Sequence, residues 1–323
     1  MTKAIRVHTP GGPDAMLWED VPTPEPGPGE VLVRHAAVGL NYIDVYFRTG
    51  LYKAPSLPMT IGMEGAGTVL AVGSGVTDIA VGDRVAYAGA LGAYATERVL
   101  GADKVVKIPD GIDFTTAAAM MLQGMTAQYL LRRTYKVKAG DPIVVHAAAG
   151  GVGLILCQWA KHIGATVIGV VSTAEKAALA KAHGAAHVVI GHNDLVADVK
   201  RFTGGAMVPV VYDSVGKDTF MTSLDCLAPL GLMCCYGAAS GPVPPFDLGV
   251  LGAKGSLFLT RPSLATYTAK RADLVSTANE LFDVVKSGAV KINVNQTFAL
   301  KDAAQAHIAL ESRKTTGSTV LVP

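Results

Sequence analysis

Cysteine is scarce: Cys157, Cys226, Cys234 and Cys235 are the only four in 323 residues, and none forms a Cys-x-x-Cys pair or stands near a matching His cluster. That spacing argues against a disulfide framework or a cysteine zinc site, and the expected state is buried, reduced thiol. Charge is also thin. Charged residues are 17% of the chain and sum to +2, with no block of Lys or Arg, so neither nucleic acid nor a membrane surface is expected as a partner. No stretch approaches the roughly 18 uninterrupted apolar residues of a membrane helix, and Met1-Thr-Lys-Ala-Ile-Arg6 lacks an apolar segment of signal-peptide length. The expectation is a soluble, cytoplasmic protein.

What is present is apolar and rich in turns: 50% hydrophobic residues, 36 Gly and 17 Pro, the mix of a folded α/β chain long enough for two cores. Up to about residue 120 the pattern is of short strands, Lys3 to Val7, Glu30 to Arg34 and Gly67 to Val72, broken by Gly and Pro clusters such as Pro22-Thr-Pro-Glu-Pro-Gly-Pro-Gly29. One helical piece, Tyr42 to Thr49, follows Asn41, and a longer helix is predicted from Phe114 through Arg133. After Gly140 strands and helices alternate. The strands are Pro142 to Ala147, Thr166 to Val171, Ala186 to Ile190, Pro209 to Tyr212, Gly231 to Tyr236 and Ser256 to Thr260. The helices are Val152 to Ile163, Ala174 to His183, Asp194 to Phe202 and Asp218 to Leu227. This alternation predicts a doubly wound parallel sheet. A helix from about Lys270 to Ser287 and a strand, helix and strand complete the chain.

The stretch His146-Ala-Ala-Ala-Gly-Gly-Val-Gly153 lies between the apolar run Pro142-Ile-Val-Val145 and a helical run with Val152, Ile155, Leu156, Trp159 and Ile163 on one face. Strand, glycine turn and helix are the parts of a dinucleotide-binding unit, in which free N–H groups at the helix start face a diphosphate; a plain βα turn of an α/β protein is the alternative. Against G-x-G-x-x-G the first glycine is missing: Ala148 takes its place, followed by Gly150 and Gly153. At the end of the second strand, where NAD-binding domains place a carboxylate, the chain reads Ser172-Thr-Ala-Glu-Lys176. Hydroxyls and Lys176 favour the 2′-phosphate of NADP over NAD. Ser172 is also a candidate N-cap of the next helix, with Glu175 completing a capping box.

The motifs Gly39-Leu-Asn-Tyr-Ile-Asp44, Arg48-Thr-Gly-Leu-Tyr52, Gly82-Asp-Arg-Val85, His146 to Gly153, Tyr212-Asp-Ser-Val-Gly216, Thr260-Arg-Pro-Ser-Leu264 and Ala306-His307 run the length of the chain. With them the sequence resembles the zinc-free quinone oxidoreductases of the medium-chain dehydrogenase/reductase superfamily, the group that includes zeta-crystallin, and especially the bacterial NADPH:quinone reductases. The resemblance implies a GroES-like β-barrel catalytic domain over residues 1–122, a Rossmann NADP-binding domain over 123–261 and a return to the catalytic domain over 262–323, with the substrate cleft between the two domains. It implies a homodimer through the Rossmann domain, with Ser256 to Thr260 as the pairing edge. Asn41 and Met63-Glu64 stand where zinc relatives carry Cys and His-Glu, and the four-cysteine loop is absent, so no zinc site is expected. Glu64 is then a structural or polar cleft residue.

The resemblance also assigns contacts. Tyr42, Ile43, Asp44, Val45, Tyr46, Thr126 and Tyr129 are expected along the nicotinamide and its ribose. Gly150, Gly151, Val152 and Gly153 are expected at the diphosphate, and Ser172, Thr173 and Lys176 at the 2′-phosphate. Ser214, Gly237, Ala238, Ala239, Ser240, Pro262, Ser263, Leu264 and Arg313 complete the line. Relatives commonly have Asn-Tyr after the third strand; here Ile190-Gly-His192 leaves His192 either in the tyrosine's role or as a solvated loop residue. Asn41, Tyr46 and Tyr52 are the expected donors to an acceptor oxygen, the tyrosines alternatively being packing residues. The expected activity is NADPH-dependent reduction of a small quinone, whose oxygen tolerates the developing charge without a metal. Reduction of enal or enone double bonds is the alternative. A crystallin-like or RNA-binding protein with little turnover is the reading from a different class.

Overall fold

The computed structural model describes all of residues 1–323. In chain order the first elements are β1 (Thr2–Val7), β2 (Met16–Val21), β3 (Glu30–Leu40), α1 (Tyr42–Thr49), β4 (Met59–Thr60), β5 (Glu64–Val72), β6 (Arg84–Ala88), β7 (Glu97–Gly101) and β8 (Val106–Lys107). Next come α2 (Phe114–Tyr129), β9 (Pro142–His146), α3 (Gly151–Ile163), β10 (Thr166–Val171), α4 (Ala174–Ala182), β11 (His187–Ile190), α5 (Leu195–Phe202) and β12 (Val208–Asp213). Then follow α6 (Phe220–Asp225), β13 (Leu227–Cys235), α7 (Gly249–Ala253), β14 (Phe258–Thr260), α8 (Leu264–Tyr267), α9 (Arg271–Lys286), β15 (Val294–Ala299), α10 (Ala303–Glu311) and β16 (Ser318–Val322).

The chain divides into two compact units. One comprises residues 1–125, 268–282 and 292–323; the other comprises 126–267 and 283–291. In the first unit β1 is central to a three-stranded sheet, β2-β1-β4. A seven-stranded sheet runs β15-β16-β3-β5-β6-β8, with β7 also paired to β3. The pairings are antiparallel except β15 with β16. Alternating β-branched and aliphatic residues of these strands, including Val31, Val33, Val69 and Val85, meet Tyr87, Tyr94, Leu300 and Leu321 in one buried cluster. Strand β3 is longer than the sequence predicts, because Ala37 to Leu40 are buried and still pair with β5 and β16.

The second unit holds a parallel sheet in the order β11-β10-β9-β12-β13-β14. Chain order reverses between β9 and β12, the switch point at which ligands enter open α/β sheets. The predicted helix to Arg133 ends instead as a widened π turn over Leu130–Thr134. There the Leu130 carbonyl accepts from the Tyr135 amide at 3.2 Å and from the Tyr212 hydroxyl at 3.0 Å. Helix α6 is shorter than predicted: Thr219 is drawn into a turn by its hydroxyl bond to Asp213, and Leu227 already begins β13. Ser256 has φ +57 and belongs to the turn before β14, so that strand starts two residues late.

Candidate active site

The glycine turn is built on contrasts of size. Strand β9 ends at His146, and Ala147 follows in the left-handed region at φ +50, a conformation costing an L-residue roughly 1–2 kcal/mol. A Cβ on Gly153 would collide with the Ala147 carbonyl and crowd Ala148, so the third glycine is sterically required; one on Gly150 would sit 3.3 Å from that carbonyl. Ala148 is tolerated in the first glycine's place because Gly169 faces it from β10: a Cβ there would approach the Ala148 methyl to 2.9 Å. Gly150 is the N-cap of α3 and brings no side-chain cap. The first amides of this helix therefore remain available to an anion.

At the end of β10 the arrangement corrects one expectation. Thr173, not Ser172, caps α4, its hydroxyl accepting from the Lys176 amide at 3.3 Å. Glu175 reaches back to the same hydroxyl, and its own backbone amide and Thr173 hold its carboxyl below the usual range. Ser172 is exposed and released from capping, while Lys176 is half-buried.

Strands β9 and β12, on either side of the switch point, end in His146 and Asp213, and one hydroxyl joins them. Ser223 on α6 donates to Asp213 Oδ2 at 2.8 Å and lies 2.9 Å from His146 Nε2. Asp213 also accepts from the Thr219 hydroxyl at 2.7 Å and from the amides of Val215 and Gly216 at 2.7 and 3.1 Å. Because the Ser223 proton is given to Asp213, His146 is the donor through Nε2, and its buried Nδ1 has no partner. Burial, and after it the neighbouring His192, push the imidazole below its usual pKa against the pull of Asp213. The exposed His192 ring lies 6.1 Å from it.

The Asp213 bonds shape the loop carrying Ser214, which is packed onto the loop after β13. A Cβ on Gly237 would strike Ser214, Ala239 N donates to the Ser214 carbonyl at 3.1 Å, and Ser240 Oγ donates to the Val215 carbonyl at 2.8 Å. Ala238 belongs to the same loop. Arg261 donates to the Cys235 carbonyl at 3.0 Å and so ties Pro262, Ser263 and Leu264 to this end of the sheet. Tyr267, one turn beyond, stacks on Tyr129 with centroids 4.4 Å apart. Tyr129 and Thr126 are buried and bonded to each other, and burial raises the Tyr129 phenol pKa.

In the first unit Asn41 begins α1 in a capping box: its backbone amide donates to Asp44 Oδ2 at 2.9 Å. Tyr42, Tyr46 and Tyr52 form an aromatic string, with centroids 6.0 Å apart for the first pair and 5.2 Å for the second. Tyr42 and Ile43 are half-exposed, whereas Asp44, Val45 and Tyr46 are buried. A helix cannot turn five consecutive residues to one side, and Asp44 is committed inward, where Tyr94 donates to it at 3.0 Å. Burial pushes its pKa up to about 7, and Oδ1 has no partner. Behind Tyr94, His307 Nε2 lies at 3.1 Å, and Arg48 donates to His307 Nδ1 at 3.0 Å and to both oxygens of Glu311 at 2.8 and 2.9 Å. Arg313, exposed just past α10, acts on Tyr42 electrostatically. A cavity of about 390 Å³ lies beside Tyr52, lined also by Pro10, Lys53 and Leu57.

Asn41 Nδ2 donates to Glu64 Oε2 at 2.7 Å, and the Leu122 amide donates to Glu64 Oε1 at 2.7 Å. Gly39 makes the room, since a Cβ there would overlap the Glu64 carboxyl. This donor set does not fit zinc: an amide replaces a metal-binding thiolate, Met63 precedes Glu64, and no three His, Cys, Asp or Glu side chains converge on one point.

Residues 27–110 match the model described as alcohol dehydrogenase GroES-like domain, and 151–278 the one described as zinc-binding dehydrogenase. A quinone oxidoreductase of Pseudomonas aeruginosa is 54% identical, with all of both chains covered. The chain belongs to the quinone oxidoreductase family. That family lies within the medium-chain dehydrogenase/reductases, and the fold is accordingly a GroES-like domain with a Rossmann sheet. The solved structure of the Escherichia coli quinone oxidoreductase complexed with NADPH matches with a TM-score of 0.97 at 49% identity over all of both chains. A 2-haloacrylate reductase of a Burkholderia species is 46% identical over all of this chain and 99% of its own. Sequence reasoning missed Ser223, Gln123, Ser318 and Tyr267, which no local pattern marks. Asp213 stood inside the quoted Tyr212 to Gly216 motif without being assigned a role.

Proposed function

We propose that this protein reduces quinones with NADPH and without a metal. The full-length identity to quinone oxidoreductases, one of them solved with NADPH, carries the reading. Bound NADPH would supply the electron pair as a hydride. The uncapped amides of Gly151, Val152 and Gly153 would hold its diphosphate, with Gly150 allowing close approach. Ser172, Thr173 and Lys176 would receive the 2′-phosphate. Ser214, the 237–240 loop and Pro262 to Leu264 would line the remainder. His192, exposed and 6.1 Å from the His146 ring, would take the tyrosine's place beside the adenosine phosphate or stand as a solvated loop residue. Asn41, Tyr46 and Tyr52 would donate to the acceptor oxygen as negative charge develops on it, with Tyr42, Ile43 and Arg313 at the rim. Asp44 and Val45 would act from behind by holding these groups in place, and Thr126 and Tyr129 would border the nicotinamide and its ribose.

The Burkholderia relative favours a second reading, reduction of an activated carbon–carbon double bond. Steady-state rates of NADPH oxidation with 1,4-benzoquinone, 2-chloroacrylate and a simple enone decide between them. The quinone is expected to show the highest kcat/KM, and a higher value for either double-bond substrate overturns that order. The four buried, unpaired cysteines fit a reducing compartment, and we assign the protein to the cytoplasm. We also propose a homodimer that pairs β14, an edge strand whose Phe258 is 60% exposed. Phe258→Lys should turn a dimer into a monomer in sedimentation velocity, and a monomeric wild type would refute the assignment.

A further inference from the structure

A chain of side-chain amides runs inward from Asn41. Asn41 Nδ2 donates to Glu64 Oε2, Gln123 Nε2 donates to Asn41 Oδ1 at 3.1 Å, and Ser318 Oγ donates to Gln123 Oε1 at 2.7 Å. Ser318 Oγ also lies 3.1 Å from the Ala119 carbonyl. All four side chains are buried, Glu64 completely. Every link in this chain is reversible. Glu64 Oε1 is fixed as an acceptor by the Leu122 amide, so a proton on the carboxyl must sit on Oε2, against Asn41. Asn41 must then turn its oxygen to Glu64, Gln123 must turn likewise, and the Ser318 proton moves to the Ala119 carbonyl. Each orientation keeps the bonds among Glu64, Asn41, Gln123 and Ser318; the reversed one gives up only the capping-box contact of the Asn41 side chain with the Asp44 amide, which keeps its 3.0 Å bond to the Asn41 carbonyl, so neither leaves a buried polar atom unsatisfied.

We propose that Glu64 is a positioning residue which, through Asn41, selects whether an amide N–H or an amide oxygen is offered to the electron acceptor. With Glu64 ionised, the second Nδ2–H of Asn41 has no partner within the protein and is free to donate. With Glu64 protonated, an oxygen lone pair replaces it, which repels the charge developing on a reduced carbonyl. The inference rests on the reading of Asn41 as an acceptor-binding group. Other groups facing Glu64 are Asp44 on α1, Tyr87 on β6 and Tyr94; beyond Tyr87 lie His35 on β3 and Arg98 on β7. Helix α2 contributes only amides and Gln123, and β16 only Ser318. Burial pushes the Glu64 pKa up to about 8, within the range of an ordinary kinetic profile.

Glu64→Gln tests this without adding volume. The Leu122 amide holds the new side chain's oxygen, its NH₂ faces Asn41, and the amide is locked in the reversed orientation at every pH. The expected result is a kcat with 1,4-benzoquinone at least about tenfold below wild type at pH 9. The rise of wild-type kcat with pH near 8 should be absent, and the Kd for NADPH, read by fluorescence, unchanged. A folded, NADPH-binding variant with the wild-type kcat and pH profile overturns the proposal. A second measurement needs no folded variant at position 64. Wild type ¹⁵N-labelled at its five asparagines should show side-chain NH₂ signals of Asn41, identified by their loss in Asn41→Asp, that titrate near pH 8; signals flat from pH 6 to 10 overturn the proposal. A wild type that binds NADPH but reduces no quinone refutes the functional reading alone, and the titration still decides the role of Glu64.

Discussion

The two units each organise their candidate site residues around buried carboxyls, but they satisfy them differently. In the nucleotide unit Asp213 accepts four bonds, two from amides and two from hydroxyls, all from within ten residues of chain. In the barrel unit Asp44 and Glu64 draw on partners from distant segments, Tyr94, Leu122 and Asn41 among them, and Asp44 keeps one oxygen unpartnered. A carboxyl surrounded by fixed donors is a rigid brace. Asp44 and Glu64 each accept from one backbone amide, and their other bonds come from side chains on other segments; burial, which these bonds only partly offset, raises the pKa of both.

The comparison can be broken most severely at the brace. Asp213→Ala orphans two amides and two hydroxyls at the switch point and should cost about 3 kcal/mol or more in urea unfolding, together with NADPH affinity. In the barrel unit Tyr94→Phe removes the hydroxyl between Asp44 and His307 and should cost about 2 kcal/mol; a loss as large as that of Asp213→Ala would abolish the distinction. Lys176→Ala, at the half-buried end of the nucleotide unit, should weaken NADPH binding by about tenfold, roughly 1.4 kcal/mol, while NADH binding stays constant. Equal loss for both cofactors refutes the 2′-phosphate assignment. The pH dependence of stability tests Glu64. Its folded pKa is raised, so the stability it brings is complete below about 4.5 and is lost as pH rises through about 8. The difference in unfolding free energy between wild type and Glu64→Gln should therefore move against the wild type from pH 5 to pH 9, and a constant difference refutes it.

How much of this could be read from sequence follows the range of the interactions. The alternation after Gly140 and the pattern at His146 to Gly153 are local, and they yielded the parallel sheet and the turn. The tolerance of Ala148 was hidden because its reason, Gly169, lies on the neighbouring strand. The cap of α4 was misplaced by one residue because Ser172 and Thr173 are equally good caps by type, and only the backbone geometry chooses Thr173. Ser223 meets His146 across 77 residues, and Ser318 meets Gln123 across 195; no periodicity encodes such pairs. The motif suggested Tyr42 to Tyr46 as one line of contacts; the helix that carries them turns Asp44 inward to Tyr94, an orientation the motif does not encode.

Arg48 is 1% exposed, and it is held by Glu311, His307 and the Gly11 carbonyl. Its guanidinium thus enters the interior with partners that are synthesised more than 250 residues later. Strand β16, which inserts between β15 and β3, arrives later still. During translation the first barrel strands must wait with an uncompensated cation and an open sheet edge, while the six parallel strands of the nucleotide unit emerge and can close on their own. The order of synthesis is therefore the reverse of the order of completion: the unit begun first finishes last.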